Sequence, residues 1–164
     1  DLISLNRHGS ASRSRFAVRR EAYIIAANGP REEAVIFGWF GDGRGREVRQ
    51  LNRDAPEIIE HTHQSFSKER VREVALMTAE HIRRAHATYG TSEIDLKRAH
   101  LDYRNLHKQA QRRRDQVALS AMTLVIIYLR AELVGDDCVP ARATIEEFTV
   151  EWAPAAAFKE PQSR

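Results

Sequence analysis

The most pronounced feature of the hydrophobic pattern is an apolar run at residues 117–134, which contains only two charged side chains, Arg130 and Glu132. The run ends a segment whose pattern predicts helix from Ser92 onward. A helix that is apolar on every side has to be enclosed by protein or by lipid. The uninterrupted part, residues 117–129, is shorter than the roughly 20 residues that a membrane span requires. We therefore expect no membrane span, and we expect protein from this chain or from a second copy to surround this helix.

Three segments in the first third of the chain are rich in β-branched and aromatic residues, which is typical of strands. They lie at 16–27, 34–40 and 46–51, and they are separated by an Asn-Gly-Pro turn at 28–30 and a glycine-rich stretch at 41–45. Asp-Gly pairs are preferred in hairpin turns because they tolerate positive φ. The pattern predicts an antiparallel three-stranded meander. The glycine-rich stretch lacks the Gly-Lys-Ser/Thr sequence of a phosphate-binding loop, so we interpret it as a hairpin turn.

A fourth strand is predicted near the other end of the chain, at residues 144–152, where apolar and polar residues alternate. Alternation with a period of two indicates a half-buried strand. This segment is acidic, and the first predicted strand carries Arg19 and Arg20. Opposite charges on neighbouring strands stabilise a sheet by roughly 0.2–1 kcal/mol per pair. We therefore predict that the C-terminal strand joins the meander next to its first strand, with the helices on one face of the sheet.

Helical signals dominate the middle of the chain. Asp54, followed by a proline and a glutamate, predicts the start of a first helix. Ser67 predicts the N-cap of a second helix, which ends at Gly90, where a C′ glycine belongs. Ser92 restarts a third helix. These signals predict an αα-hairpin that turns at Gly90.

The third helix would extend over residues 93–134. At 1.5 Å per residue its length is about 60 Å, which exceeds a compact domain of this size. The helix therefore either bends near the polar stretch 109–116 or protrudes and pairs with another chain.

Together, the elements predict an α+β fold within a single domain at residues 16–152. A small antiparallel sheet, made of the N-terminal meander and the C-terminal strand, packs on the helical hairpin with its one long helix. The chain has 164 residues and is 42% apolar, enough for one domain with a core. Residues 1–15, rich in Ser and Arg, predict a flexible basic arm, with an organelle-targeting peptide as the alternative. Residues 153–164, rich in Ala and Pro, predict a tail.

Composition adds little about function. A net charge of +3 is typical of many nucleic-acid-binding proteins and equally of ordinary proteins. Cys138 is the single cysteine, which excludes an internal disulfide and a cysteine-based zinc site. We expect a cytoplasmic location or another reducing compartment.

Histidines are the first candidates for a chemical role. If the hairpin turns at Gly90, four of them lie along the seam between the second and third helices, with His81 level with His100. Neutral imidazoles bind metals, and histidine titrates near neutral pH. The alternative is that each ring packs in the seam with a polar tip at its edge. The histidine seam comprises His81, His86, His100 and His107.

A basic stretch in the third helix is the second candidate, because Arg and Lys side chains in such a run can follow a phosphate backbone. Acidic residues are interleaved with it, so a solvated helix face with i,i+4 ion pairs explains the pattern as well. No helix-turn-helix, zinc-finger or RNP-type signature accompanies the stretch. The candidate nucleic-acid-binding residues are Arg104, Lys108, Arg112, Arg113 and Arg114.

No local motif combines a nucleophile, a base and an orienting group, so the sequence does not favour an enzyme and predicts no cofactor. The leading hypothesis is a non-enzymatic interaction or assembly protein that binds itself, or another protein, through residues 93–134. Self-association would cover the apolar half of the long helix. Nucleic-acid binding through the basic face of the long helix and the N-terminal arm is the alternative, and a metal- or pH-responsive histidine seam is the third hypothesis. The expected interface residues are Leu124, Ile126, Ile127 and Tyr128.

Overall fold

The computed structural model describes residues 43–154, which form a bundle of five α-helices and contain no strand. The helices are α1 (Gly43–Ser65), α2 (Lys68–Tyr89), α3 (Glu93–Arg112), α4 (Gln116–Val134) and α5 (Val139–Trp152). A 3₁₀ turn at Asp136–Cys138 precedes α5. The predicted arm at 1–15, the first two predicted strands and the part of the predicted tail beyond residue 154 lie outside the described residues.

The prediction of an α+β fold is wrong for the described part of the chain, which is all-α. The segment 144–152 is helical because its apolar residues continue a helical stripe that begins before the segment. Ala141, Ile145, Phe148 and Thr149 are buried and follow helical spacing. A strand would have placed Phe148 and Val150 on the same face, whereas Val150 is exposed. A segment of nine residues is too short to distinguish the strand period of 2 from the helical period of 3.6.

The first helix begins eleven residues earlier than predicted, at Gly43 instead of Asp54. The predicted third strand, 46–51, and residues 43–45 of the predicted hairpin turn therefore belong to α1. Pro56 lies inside the helix, where a proline removes one backbone hydrogen bond. The glycine-rich stretch thus leads into a helix, although it still lacks the Gly-Lys-Ser/Thr sequence of phosphate-binding loops.

The predicted αα-hairpin is confirmed. Ser67 caps α2 by accepting a hydrogen bond from the backbone N–H of Arg70, and Ser92 caps α3 in the same way. Gly90 ends α2 with φ +99°, a backbone conformation that L-residues rarely adopt. A Cβ atom at this position would lie 2.5 Å from Oδ2 of Asp95, so the Asp95 carboxylate would have to move to admit a side chain here.

The prediction of one long helix at 93–134 is wrong: the segment forms two helices, and the break lies within the polar stretch 109–116, where a bend was one of the two alternatives. Arg114 adopts a left-handed conformation with φ 55°, and the backbone N–H of Asp115 donates to the carbonyl of Ala110 (3.1 Å). The Asp115 carboxylate then caps α4 by accepting from the N–H of Ala118 at 3.0 Å. The chain reverses at this turn, and α3 packs alongside α4.

Helix α4 forms the centre of the bundle and packs against all four other helices. Every residue from Leu119 to Leu129 is buried. By length and composition α4 is the one described helix that could cross a membrane, but 67% of that window is buried inside the bundle, as in a core helix. The expectation that protein encloses this helix is correct, and the enclosing protein is the chain itself.

Candidate interaction surface

The four residues expected at an oligomer interface lie in the core. Leu124 and Ile127 are completely buried, and Ile126 and Tyr128 are nearly so. Their neighbours are the helices that surround α4 in the same chain. These side chains offer no surface to a partner in this conformation.

Histidines of the predicted seam do not converge on one point, and three of them, His81, His86 and His107, make separate hydrogen bonds within the bundle. The Tyr103 hydroxyl donates to the carbonyl of His81 (2.9 Å), so His81 Nδ1–H donates to the tyrosine oxygen at 3.1 Å. His107 Nε2 likewise donates to Thr123 Oγ1 at 3.2 Å, because the threonine hydroxyl donates to the carbonyl of Leu119. Burial lowers the pKa of both histidines and favours their neutral forms.

The other two seam histidines have different surroundings again. His86 Nε2 lies 2.9 Å from a carboxylate oxygen of Glu132, and this contact joins α2 to α4. His100 is largely buried; desolvation, together with the guanidinium groups of Arg130 and Arg104, lowers its pKa to about 4. Among residues 43–154, no group of three or more His, Cys, Asp or Glu side chains is arranged to hold a metal ion. In the described bundle the four histidines therefore have separate environments and do not form one site.

Two polar side chains in the C-terminal half of α4, those of Tyr128 and Arg130, connect it to the surrounding helices. Arg130 forms an ion pair with Glu47 of α1. The Tyr128 hydroxyl donates to the Glu146 carboxylate of α5 at 2.6 Å. Burial is the main cause that raises the pKa of the Tyr128 hydroxyl, and the hydrogen bond to Glu146 raises it further. Neither Glu47 nor Glu146 was predicted as a partner, because both lie in segments that were predicted to be strands. The charge of Arg130 inside an apolar run nevertheless indicates that a buried partner is needed.

Cys138 is completely buried beneath α1 and α5. Burial is the main cause that raises the pKa of its thiol, and the carboxylates of Glu47 and Asp137 act in the same direction. A raised pKa and a buried sulfur are typical of an unreactive cysteine.

The candidate nucleic-acid-binding residues divide into two groups. Arg112, Arg113 and Arg114 are exposed at the end of α3 and in the turn that leads to α4. Arg104 and Lys108 are partly buried on the preceding turns of α3, each four residues before the next. The five residues thus extend along one side of α3 to one end of the bundle.

The outward face of α3 also carries exposed apolar side chains. Ile94 is 63% exposed and Leu101 is 58% exposed, the highest values for large apolar residues in the described part of the chain. They are seven residues apart, so they lie on the same side of the helix, about 10 Å from each other. Arg98 is exposed between them, and Lys97 nearby forms an ion pair with Glu93 (2.5 Å). We call Ile94, Arg98 and Leu101 the α3 stripe.

The outward face of α5 also carries two exposed apolar side chains, and its exposed charges are acidic. Val139 is 47% exposed and Val150 is 52% exposed, and a spacing of eleven residues places them on one side of the helix, about 16 Å apart. Glu147 and Glu151 are exposed beside them. We call these four residues the α5 stripe. Helices α3 and α5 both pack on α4, but within the described residues they do not pack on each other.

Comparisons with known proteins give no further information, because the chain matches no protein-family model, no curated protein and no solved structure.

Proposed function

We propose that this chain is a self-associating interaction protein and that the outward face of α3 forms part of its contact surface. The observation that carries the proposal is the exposure of Ile94 and Leu101 on one stripe of a well-formed helix. Single exposed apolar residues are common on protein surfaces. Two large ones share this helix face with an exposed arginine, a residue type that is enriched at protein–protein interfaces.

The support for self-association differs from the reason that the sequence suggested. There, a second copy was needed to cover the apolar residues of α4, and in the bundle the chain's own helices cover them. Within the segment 93–134, the exposed large apolar side chains that a partner could contact are those of α3.

The mass of the full chain in solution tests the proposal. We expect light scattering to give a mass above the monomer value of 18.8 kDa, increasing with protein concentration and decreasing with salt. A mass of 18.8 kDa at all concentrations up to about 100 µM would refute self-association with an affinity in the micromolar range.

One substitution connects the association to α3. Leu101→Asp should weaken it about 10- to 100-fold, because burying a leucine contributes about 1.5–3 kcal/mol. The matched control is Leu76→Asp, which changes a 42%-exposed leucine on α2 outside the stripe and should leave the association constant unchanged. Equal effects of the two substitutions would exclude α3 as the contact surface.

A second candidate function, nucleic-acid binding, rests on the exposure of Arg112, Arg113 and Arg114 at one end of the bundle. Each phosphate that a basic side chain neutralises adds about 0.9 to the slope of log K against log salt. The double substitution Arg113→Glu/Arg114→Glu should therefore reduce the slope for a random-sequence DNA duplex by about 2. No binding in about 50 mM salt, or an unchanged slope, would remove this candidate.

A further inference from the structure

We infer that the α3 stripe pairs with itself: two copies of this chain join through an antiparallel contact of α3 with α3 around a two-fold axis. This inference rests on the proposed self-association and names the partner surface and the symmetry of the contact. Such a contact uses the same surface on both copies, so it closes as a dimer and leaves no α3 stripe free for further growth.

The local charge around the α3 stripe is the first argument for a second copy as the partner. The segment 93–104, which contains the stripe, has three basic and three acidic residues, and the basic surplus of α3 begins only at Lys108. A strongly basic or strongly acidic partner gains nothing from a balanced surface, whereas a second copy of the segment brings the same balance. The α5 stripe lacks this property, because Glu147 and Glu151 of two copies would repel each other.

The apolar residues of the stripe provide the second argument. If two α3 helices pack antiparallel with Ile94 of one copy against Leu101 of the other, the two-fold axis repeats this pair. The two side chains are about 10 Å apart on both copies, so both pairs form at once and all four exposed apolar side chains are covered. The helices then overlap over residues 93–102, about 15 Å, and an overlap this short is typical of a weak interface.

Charges beside the stripe favour the antiparallel orientation. Asp95, Arg98 and Asp102 are three and four residues apart, so they share one flank of the stripe. In the antiparallel pairing the two Arg98 side chains lie near the axis and are bracketed by four carboxylates, two from each copy. Ser92 and Tyr89 donate hydrogen bonds to these aspartates, which keeps the carboxylates in place. A parallel pairing would instead place each of the three charges opposite its own copy, where like charges repel.

Disulfide cross-linking of the full chain tests the pairing. Lys97 is exposed and lies next to the axis, so Lys97→Cys should form a disulfide between two copies under mild oxidation. Asn105→Cys is the matched control, since this exposed residue on the same side of α3 would lie about 22 Å along the axis from its counterpart, beyond the roughly 7 Å that a disulfide spans. The wild type, whose Cys138 is buried, gives the background. Adding Leu101→Asp to Lys97→Cys should lower the cross-linked fraction about 10-fold or more at low micromolar concentration.

The outcomes separate this inference from the proposed function. In light scattering the wild type should reach twice the monomer mass of 18.8 kDa and grow no further, and a monomeric wild type would refute both. Cross-linking of both cysteine variants would indicate a parallel contact, and cross-linking of neither in a self-associating chain would indicate another surface. Either result, or growth beyond a dimer, would refute the antiparallel α3 pairing and leave self-association intact. If Lys97→Cys loses helix content in circular dichroism, Arg98→Cys, which also lies next to the axis, repeats the test with the same expected result.

Discussion

His100 on α3 makes the folded chain sensitive to acid, and the pH range of this sensitivity follows from its surroundings. Desolvation and the positive charges of Arg130 and Arg104 lower the pKa of His100 from 6.5 to about 4. In the unfolded chain the histidine regains a pKa near 6.5. Between these two values the unfolded state binds a proton that the folded state does not. The contribution of His100 to stability is therefore complete above pH 6.5 and is lost as the pH falls toward 4.

The magnitude is large enough to measure. From the two pKa values, the free energy of unfolding should fall by about 2 kcal/mol between pH 7 and pH 5 because of His100 alone, and by about 3 kcal/mol at pH 4. Carboxylates also titrate in this range, and the raised pKa of Glu47 acts in the opposite direction. The informative quantity is therefore the difference between the wild type and a variant that lacks this histidine.

The assay is urea denaturation followed by circular dichroism at pH 7, 6 and 5. His100→Gln should remove about 2 kcal/mol of the loss that the wild type shows between pH 7 and pH 5. His63→Gln, which removes an exposed histidine of α1 whose ring contacts Phe148 and Trp152, is the control for the loss of a histidine elsewhere in the bundle. If His100→Gln and the wild type lose the same stability between pH 7 and pH 5, the reasoning is wrong. The imidazole titration of His100 by NMR gives a direct second measurement.

Three further predictions concern the backbone and the connections between helices. Gly90→Ala should lower the melting temperature more than Gly135→Ala does; both glycines have positive φ, but only at Gly90 would the added Cβ meet another side chain, that of Asp95. Equal losses would contradict this. Arg114→Gly should raise the free energy of unfolding by up to about 1 kcal/mol, because glycine adopts the left-handed conformation without steric cost, and a decrease in urea denaturation would contradict it. Asn52→Ala should lower stability by about 2 kcal/mol through the loss of two hydrogen bonds, to the carbonyl of residue 137 and from the N–H of residue 141, and an unchanged urea midpoint would contradict that.

Local signals in the sequence predicted the turns of the chain correctly. Ser67, Gly90 and Ser92 act on backbone groups within three or four residues of themselves, so their effect does not depend on the rest of the fold. The polar stretch 109–116 similarly marked the break at Arg114. Histidines were predicted to line the seam between α2 and α3, but His86 and His107 contact α4 instead, because α4 was expected to continue α3 and in the bundle packs against both helices. His81 contacts Tyr103 and not His100.

The sequence by itself determined where the hairpin turns and which helix has to be enclosed, because capping residues and an unbroken apolar composition act at short range. The tertiary structure decided what encloses α4: four helices of the same chain. It also decided that the segments 46–51 and 144–152 are helical, since short apolar patterns fit either period until the surface they pack against is known. Burial depends on residues far apart in the chain, and that is why the exposed stripes on α3 and α5 became visible only in the folded bundle.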